Sequence, residues 1–121
     1  MRRFLGFSAA LILLGCGGAS NRNARDADRV DPDSGRTKIA EYGCGACHTI
    51  PGIPGAHGQV GPPLAGIAQR QYVAGLLPND ASNLQKWIEN PHSVNPNTLM
   101  PNLGVTPQDA SSISMYLYTL R

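Results

Sequence analysis

Cys44-Gly45-Ala46-Cys47-His48 lies between Tyr42-Gly43 and a stretch dense in Gly and Pro. Two thiols three positions apart fall on one face of a helical turn, with an imidazole directly after them. Several chemistries use such a pair. A disulfide between Cys44 and Cys47 would be strained and would close a trivial loop. A thioredoxin-like dithiol needs a preceding strand and a βαβ context, and no such pattern surrounds this segment. Zinc needs four ligands. Cys44, Cys47, His48 and either His57 or His92 would make a tetrahedral set, but adjacent Cys47 and His48 are an awkward chelate for one ion. The spacing C-x-x-C-H fits covalent haem attachment best. Each thiol adds to one vinyl group, and His48 turns its ring onto the iron. A covalent cofactor also suits a chain whose aromatic content is only 6%, because small domains with thin cores need a staple.

The segments around the motif read as short helices and long loops. A helix is expected over Arg36–Ala46, with Ser34 as N-cap and Ile39, Ala40 and Tyr42 inward. Gly43 and Gly45 weaken it, each by about 1 kcal/mol relative to Ala. Pro51 to Pro63 reads as loop, and a short helix is expected around Leu64–Tyr72. Ser82-Asn83-Leu84-Gln85 has the form of a capping box, ahead of Leu84, Trp87 and Ile88 at helical spacing; Asn90-Pro91 ends that helix. Residues 91–105 read as a further loop. Thr106 is the N-cap of a last helix, with Pro107 at N1 and Asp109 at N3. Ala110, Ile113, Leu117 and Leu120 form its inward stripe, with Tyr116 beside them. No strand pattern stands out. The fold class is all-α, with about four short helices around one cofactor and long Gly/Pro-rich loops. Loops that long in so small a domain are usually functional.

A second axial ligand must come from Met100, Met115, His57 or His92. Met115 lies within the last helix, where a core thioether is the ordinary reading. His57 and His92 read as exposed loop residues. Met100, in Thr98-Leu99-Met100-Pro101, follows a Pro-stiffened approach that can hold a soft sulfur against iron, and is preferred, with His92 next.

The first residues read as an address. Arg2 and Arg3 precede an apolar run from Phe4 to Leu14, the layout of a secretory signal. That run is shorter than the roughly 20 residues of a membrane-spanning helix. Leu13-Leu14-Gly15-Cys16 resembles a bacterial lipobox, which implies cleavage before Cys16 and its acylation. Gly17 after it is compatible with outer-membrane sorting. Residues 17–34 are polar and read as a tether, spanning about 20–25 Å root-mean-square as coil. The expected organisation is therefore signal 1–15, lipidated Cys16 and tether 16–34, and domain 35–121. Two or more acyl chains would hold such a domain firmly at an extracytoplasmic or periplasmic membrane face.

The full chain has 121 residues, ten basic against eight acidic, for a formal charge of +2. Loss of Arg2 and Arg3 leaves a formally neutral chain. That excludes the basic footprint of a nucleic-acid binder and predicts weak long-range steering.

Four blocks in order carry a family resemblance: the Cys44–His48 motif; Gly61-Pro62-Pro63-Leu64; Trp87-Ile88-Glu89-Asn90-Pro91; and Met100-Pro101 before a Tyr116-Leu117 helix. On these, residues 35–121 resemble the small bacterial monohaem class I c-type cytochromes, and also the haem domain fused to subunit II of caa3-type oxidases. The resemblance implies that the Pro62 carbonyl (Pro63 as alternative) accepts a hydrogen bond from His48 and that Leu64 packs on the haem. It places Trp87 near the haem, against an equally ordinary role in the core. It implies a close crossing of terminal helices involving Gly35 or Ala40 and Tyr116. The expected function is a membrane-tethered single-electron carrier, not itself an enzyme, with His48 and Met100 as iron ligands. Its partners would be membrane-bound oxidases or dehydrogenases. Alternatives are a permanent electron-entry subunit of such a complex, and a haem gas sensor or catalyst with a labile Met100. Many relatives ring the haem edge with Lys, whereas this chain has only Lys38 and Lys86, so a strongly basic docking face is not expected.

Overall fold

The computed structural model describes residues 30–121. The signal segment, Cys16 and most of the tether lie outside the described residues. The elements run in the order α1 (Pro32–Glu41), a 3-10 turn (Cys44–Ala46), a second 3-10 turn (Ile67–Gln69), β1 (Tyr72–Val73), β2 (Leu77–Pro78), α2 (Ala81–Glu89), α3 (Pro91–Val94) and α4 (Pro107–Leu117).

Helix α1 begins earlier than expected. Asp31, not Ser34, is its N-cap, and its carboxylate accepts from Ser34 N at 2.9 Å. Pro32 sits in the first turn, where its missing N–H costs nothing. Pro32–Ser34, read as the end of the tether, are therefore helical. The helix also ends early. Gly43 takes φ +72°, the left-handed conformation that closes helices and that glycine adopts without a Cβ penalty. The haem-type motif thus lies just beyond α1, on its own 3-10 turn, rather than inside it.

The same correction applies at α2. Its N-cap is Asp80, whose carboxylate accepts from Asn83 N at 2.9 Å, so Ser82 lies within the first turn. Leu84 and Ile88 are buried on its inner face. Asn90-Pro91 does end α2, but Asn90 also caps a new turn. Its side chain accepts from Ser93 N, and Pro91 opens α3 in what was expected to be loop. The expected helix over Leu64–Tyr72 is only the 3-10 turn Ile67–Gln69. The chain then enters a two-stranded antiparallel hairpin with Tyr72 opposite Pro78 and Val73 opposite Leu77. Its turn places Ala74 and Gly75 at φ 54° and 69°, and Leu76 N bonds Val73 O at 3.0 Å. Two successive positive φ values match the twist of a hairpin. Strands this short leave no alternation to read.

Helix α4 starts as expected, with Thr106 Oγ1 accepting from Asp109 N at 3.2 Å. Ala110, Ile113 and Leu117 are buried. Met115 is 41% exposed, against the expectation of a core thioether. Two positions beyond Ile113 is about 200° around the helix, the opposite face.

Helix α1 packs across α4, and α2 packs on α4 beside it. The α1–α4 crossing is a backbone contact. A Cβ at Gly35 would lie 1.9 Å from the carbonyl oxygen of Ser112, so only glycine permits it. Ala40 is exposed and takes no part in the core. Tyr116 instead reaches the loop after the motif, donating to Pro51 O at 2.7 Å. Tyr42 donates to Asp109 Oδ2 at 2.7 Å, joining the end of α1 to the start of α4. Ile39, Leu84, Ile113 and Leu117 meet in the shared core, with Ile50, Ile53 and Val105 from the loops. The result is a mostly helical domain with one small sheet. Among the described residues no helix is long and apolar enough to cross a membrane.

Candidate functional site

A cavity of about 760 Å³ opens beside this core. The Cys44–His48 motif and the Met100 loop both line it, as do Leu64, Trp87 and Ile88. Among the described residues that line the cavity, Arg70 alone carries a fixed charge.

The motif is held from outside by backbone bonds. Gly58 N bonds Gly45 O at 3.0 Å, Gly61 N bonds Cys47 O at 2.8 Å, and Leu64 N bonds Thr49 O at 2.9 Å. These strap residues 58–64 along the motif. The approach is so close that a Cβ at Gly61 would lie 2.3 Å from Cε1 of His48.

His48 is half-buried. Its Nδ1 lies 2.7 Å from Pro62 O. A carbonyl only accepts, so Nδ1 carries a proton, and in the neutral tautomer this selects, Nε2 presents the lone pair. That is the form in which imidazole binds a metal, with its second nitrogen engaged elsewhere. Cys44 and Cys47 are not joined to each other in a disulfide, and each is half-buried. Burial pushes the Cys44 thiol above its usual range, which keeps it protonated at neutral pH. Met100 is half-buried, with its backbone N–H bonded to Thr98 Oγ1 at 3.1 Å. Asn95 and Asn102 make similar local bonds on either side. Short polar side chains thus replace regular structure in holding this loop.

Of the four candidates for a second axial ligand, Met100 is the one that lines the cavity. His57, His92 and Met115 are exposed and do not. Leu64 and Trp87 line it; Pro62 lines it too and supplies the carbonyl opposite His48. Among the described residues no three His, Cys, Asp or Glu side chains gather as a metal site, which leaves the zinc reading without a ligand set. An apolar cavity of this size, with two thiols, one imidazole with a free lone pair and one thioether on its walls, fits a haem.

Arg70, also on the cavity wall, belongs to no sequence motif. Its guanidinium donates to Pro63 O, and to Ala65 O at 3.4 Å. The only sequence signal was a charged residue at the end of an apolar stretch.

A family model for cytochrome c matches residues 33–121. The chain belongs to the cytochrome c family. Membership implies covalently bound haem c, for which Cys44 and Cys47 are present, and electron transfer by that haem. This cytochrome is also similar to two proteins named cytochrome c oxidase subunit 2. It is 30% identical to that of Alkalihalophilus pseudofirmus (strain ATCC BAA-2126 / JCM 17055 / OF4) over 90 residues, 74% of this chain and 25% of the relative. It is 28% identical to that of Bacillus sp. (strain PS3) over 105 residues, 83% of this chain and 30% of the relative. The cytochrome therefore spans between a quarter and a third of these relatives.

Proposed function

We propose that this cytochrome is a single-electron carrier whose haem is bound through Cys44 and Cys47 and ligated by His48 and Met100. The observation that carries the reading is the convergence of these four side chains on one apolar cavity, with the outer nitrogen of His48 engaged by Pro62. When bound, the haem supplies a one-electron iron couple. The chain's own residues do the rest. His48 offers Nε2 and keeps its proton on Nδ1. Met100 would supply a thioether as the second ligand, which would disfavour binding of oxygen or peroxide. Thioether ligation favours reduced iron, and Leu64, Trp87 and Ile88 exclude water, which raises the potential further.

The domain is exported and anchored through lipidated Cys16, on the extracytoplasmic or periplasmic side. Its partners are membrane-bound oxidases or dehydrogenases. The similarity to oxidase subunits favours one further reading, that of a permanent electron-entry subunit of an oxidase complex. Co-purification with a stable complex would favour that reading over a free carrier.

The test is expression with a cytochrome maturation system. Haem absorption that resists acid–acetone extraction, with a far-red sulfur-to-iron band, is expected. Met100→His should keep the haem, remove that band and lower the potential. Colourless protein, or a band that survives the substitution, would refute the attachment or the ligand respectively.

A further inference from the structure

Three side chains outside the ligand set, Tyr118, Asn79 and Arg70, form a path that reaches the Pro62–Pro63 backbone beside the proximal imidazole. Tyr118, the C-cap of α4, donates its hydroxyl to Asn79 Oδ1 at 3.0 Å. The Asn79 amide donates to Ile67 O at 2.9 Å and to Arg70 O at 2.8 Å. Asn79 N also bonds Gln71 O at 3.0 Å. Asn79 therefore closes the turn over residues 67–71 on itself and ties it to α4. From that turn the Arg70 guanidinium reaches back to Pro63 O. Pro63 directly follows Pro62, whose carbonyl faces His48 Nδ1.

We propose that Asn79 and Tyr118 are positioning residues for the proximal histidine, acting through Arg70 and the Pro62–Pro63 segment. The inference rests on the haem reading given above. Both prolines lack an N–H, so the backbone donors that strap this segment are the flanking Gly61 N and Leu64 N. Between them the carbonyl of Pro63 is held by Arg70. Loosening Arg70 lets the Pro62 carbonyl drift. A weaker Nδ1–H bond makes the imidazole a poorer donor. Oxidised iron, which needs that donation more, then loses more stabilisation than reduced iron, and the potential rises. Burial holds the Tyr118 phenol in its protonated, donating form, with Asp80 adding to this.

The test uses the haem-loaded chain carrying Tyr118→Phe, which keeps the ring, and Asn79→Ala. Two quantities are read. One is the reduction potential; the other is deuterium exchange of the His48 Nδ1 proton, followed by NMR. Both variants should raise the potential and speed exchange, by roughly tenfold for one lost hydrogen bond. The double variant should add little to Asn79→Ala, because both residues act along one path. Variants that melt at lower temperature with unchanged potential and exchange would overturn the proposal, leaving a purely structural role. Absence of attached haem from the unsubstituted chain would instead overturn the functional reading itself.

Discussion

The reactive geometry at His48 depends on what is missing from its neighbour. Gly61 leaves space that any other residue would fill, since a Cβ there would lie 2.3 Å from the ring. Gly61→Ala must therefore either turn the imidazole or lift the 58–64 strap, and both separate Nδ1 from Pro62 O. Expected outcomes are a smaller fraction of haem-loaded protein and an altered absorption spectrum in what remains. An unchanged yield and spectrum would show that the strap yields freely. At this scale the sequence is informative where chemistry fixes spacing. Cys44, Cys47 and His48 are recognisable because attachment demands that order. Met100 stands out because a sulfur in a stiff loop differs from one inside a helix. Arg70 was not legible, because its role depends on carbonyls at Pro63 and Ala65 whose direction only the folded loop defines.

A polar contact with its own pH signature joins α1 to α4. Tyr42 donates to Asp109 at 2.7 Å across the α1–α4 junction. That hydrogen bond, followed by burial, raises the phenol's pKa above its ordinary 10.0. The folded protein thus holds this proton more tightly than the unfolded chain. The associated stabilisation is complete below about pH 10 and is lost as pH rises through the folded value. Lys38 adds to the same alkaline limb, being raised mainly by its hydrogen bond to Glu41. Tyr42→Phe should cost about 1 kcal/mol at neutral pH and flatten the fall in melting temperature above pH 10. An identical alkaline limb in the variant would place its origin elsewhere. Element boundaries show what local reading captures. Thr106-Pro107 marked a start correctly because no competing acceptor precedes it. Ser34 and Ser82 lost to Asp31 and Asp80, each a short step upstream and followed by a residue suited to N1. Gly43 read as a weak point inside a helix because sequence gives no sign of φ. The hairpin is not legible in the sequence because its strands have two residues each.

For the whole molecule the informative quantity is charge. Ten basic residues meet eight acidic ones over the full chain, and neither lysine lines the cavity. Lys38 is engaged by Glu41 at 2.9 Å, with Asp109 at 3.9 Å. The one charged side chain on the cavity wall, Arg70, is turned onto backbone carbonyls. Around the cavity, Val60 and Leu99 are instead 70% and 87% exposed. A face of this kind cannot steer a charged partner over distances beyond the Debye length, about 10 Å at 0.1 M salt. Encounter should depend on short-range apolar contact. The haem-loaded protein can be oxidised by a small anionic reagent and, separately, by a small cationic one, with salt raised from low to high concentration. A ring of lysines would slow the anionic reaction and speed the cationic one as salt screens it. Here both rate constants should change by less than about twofold, since a near-neutral face leaves little field to screen. A steep, opposite response of the two reagents would show a charged docking face that the arrangement of Arg70, Lys38 and Lys86 does not account for.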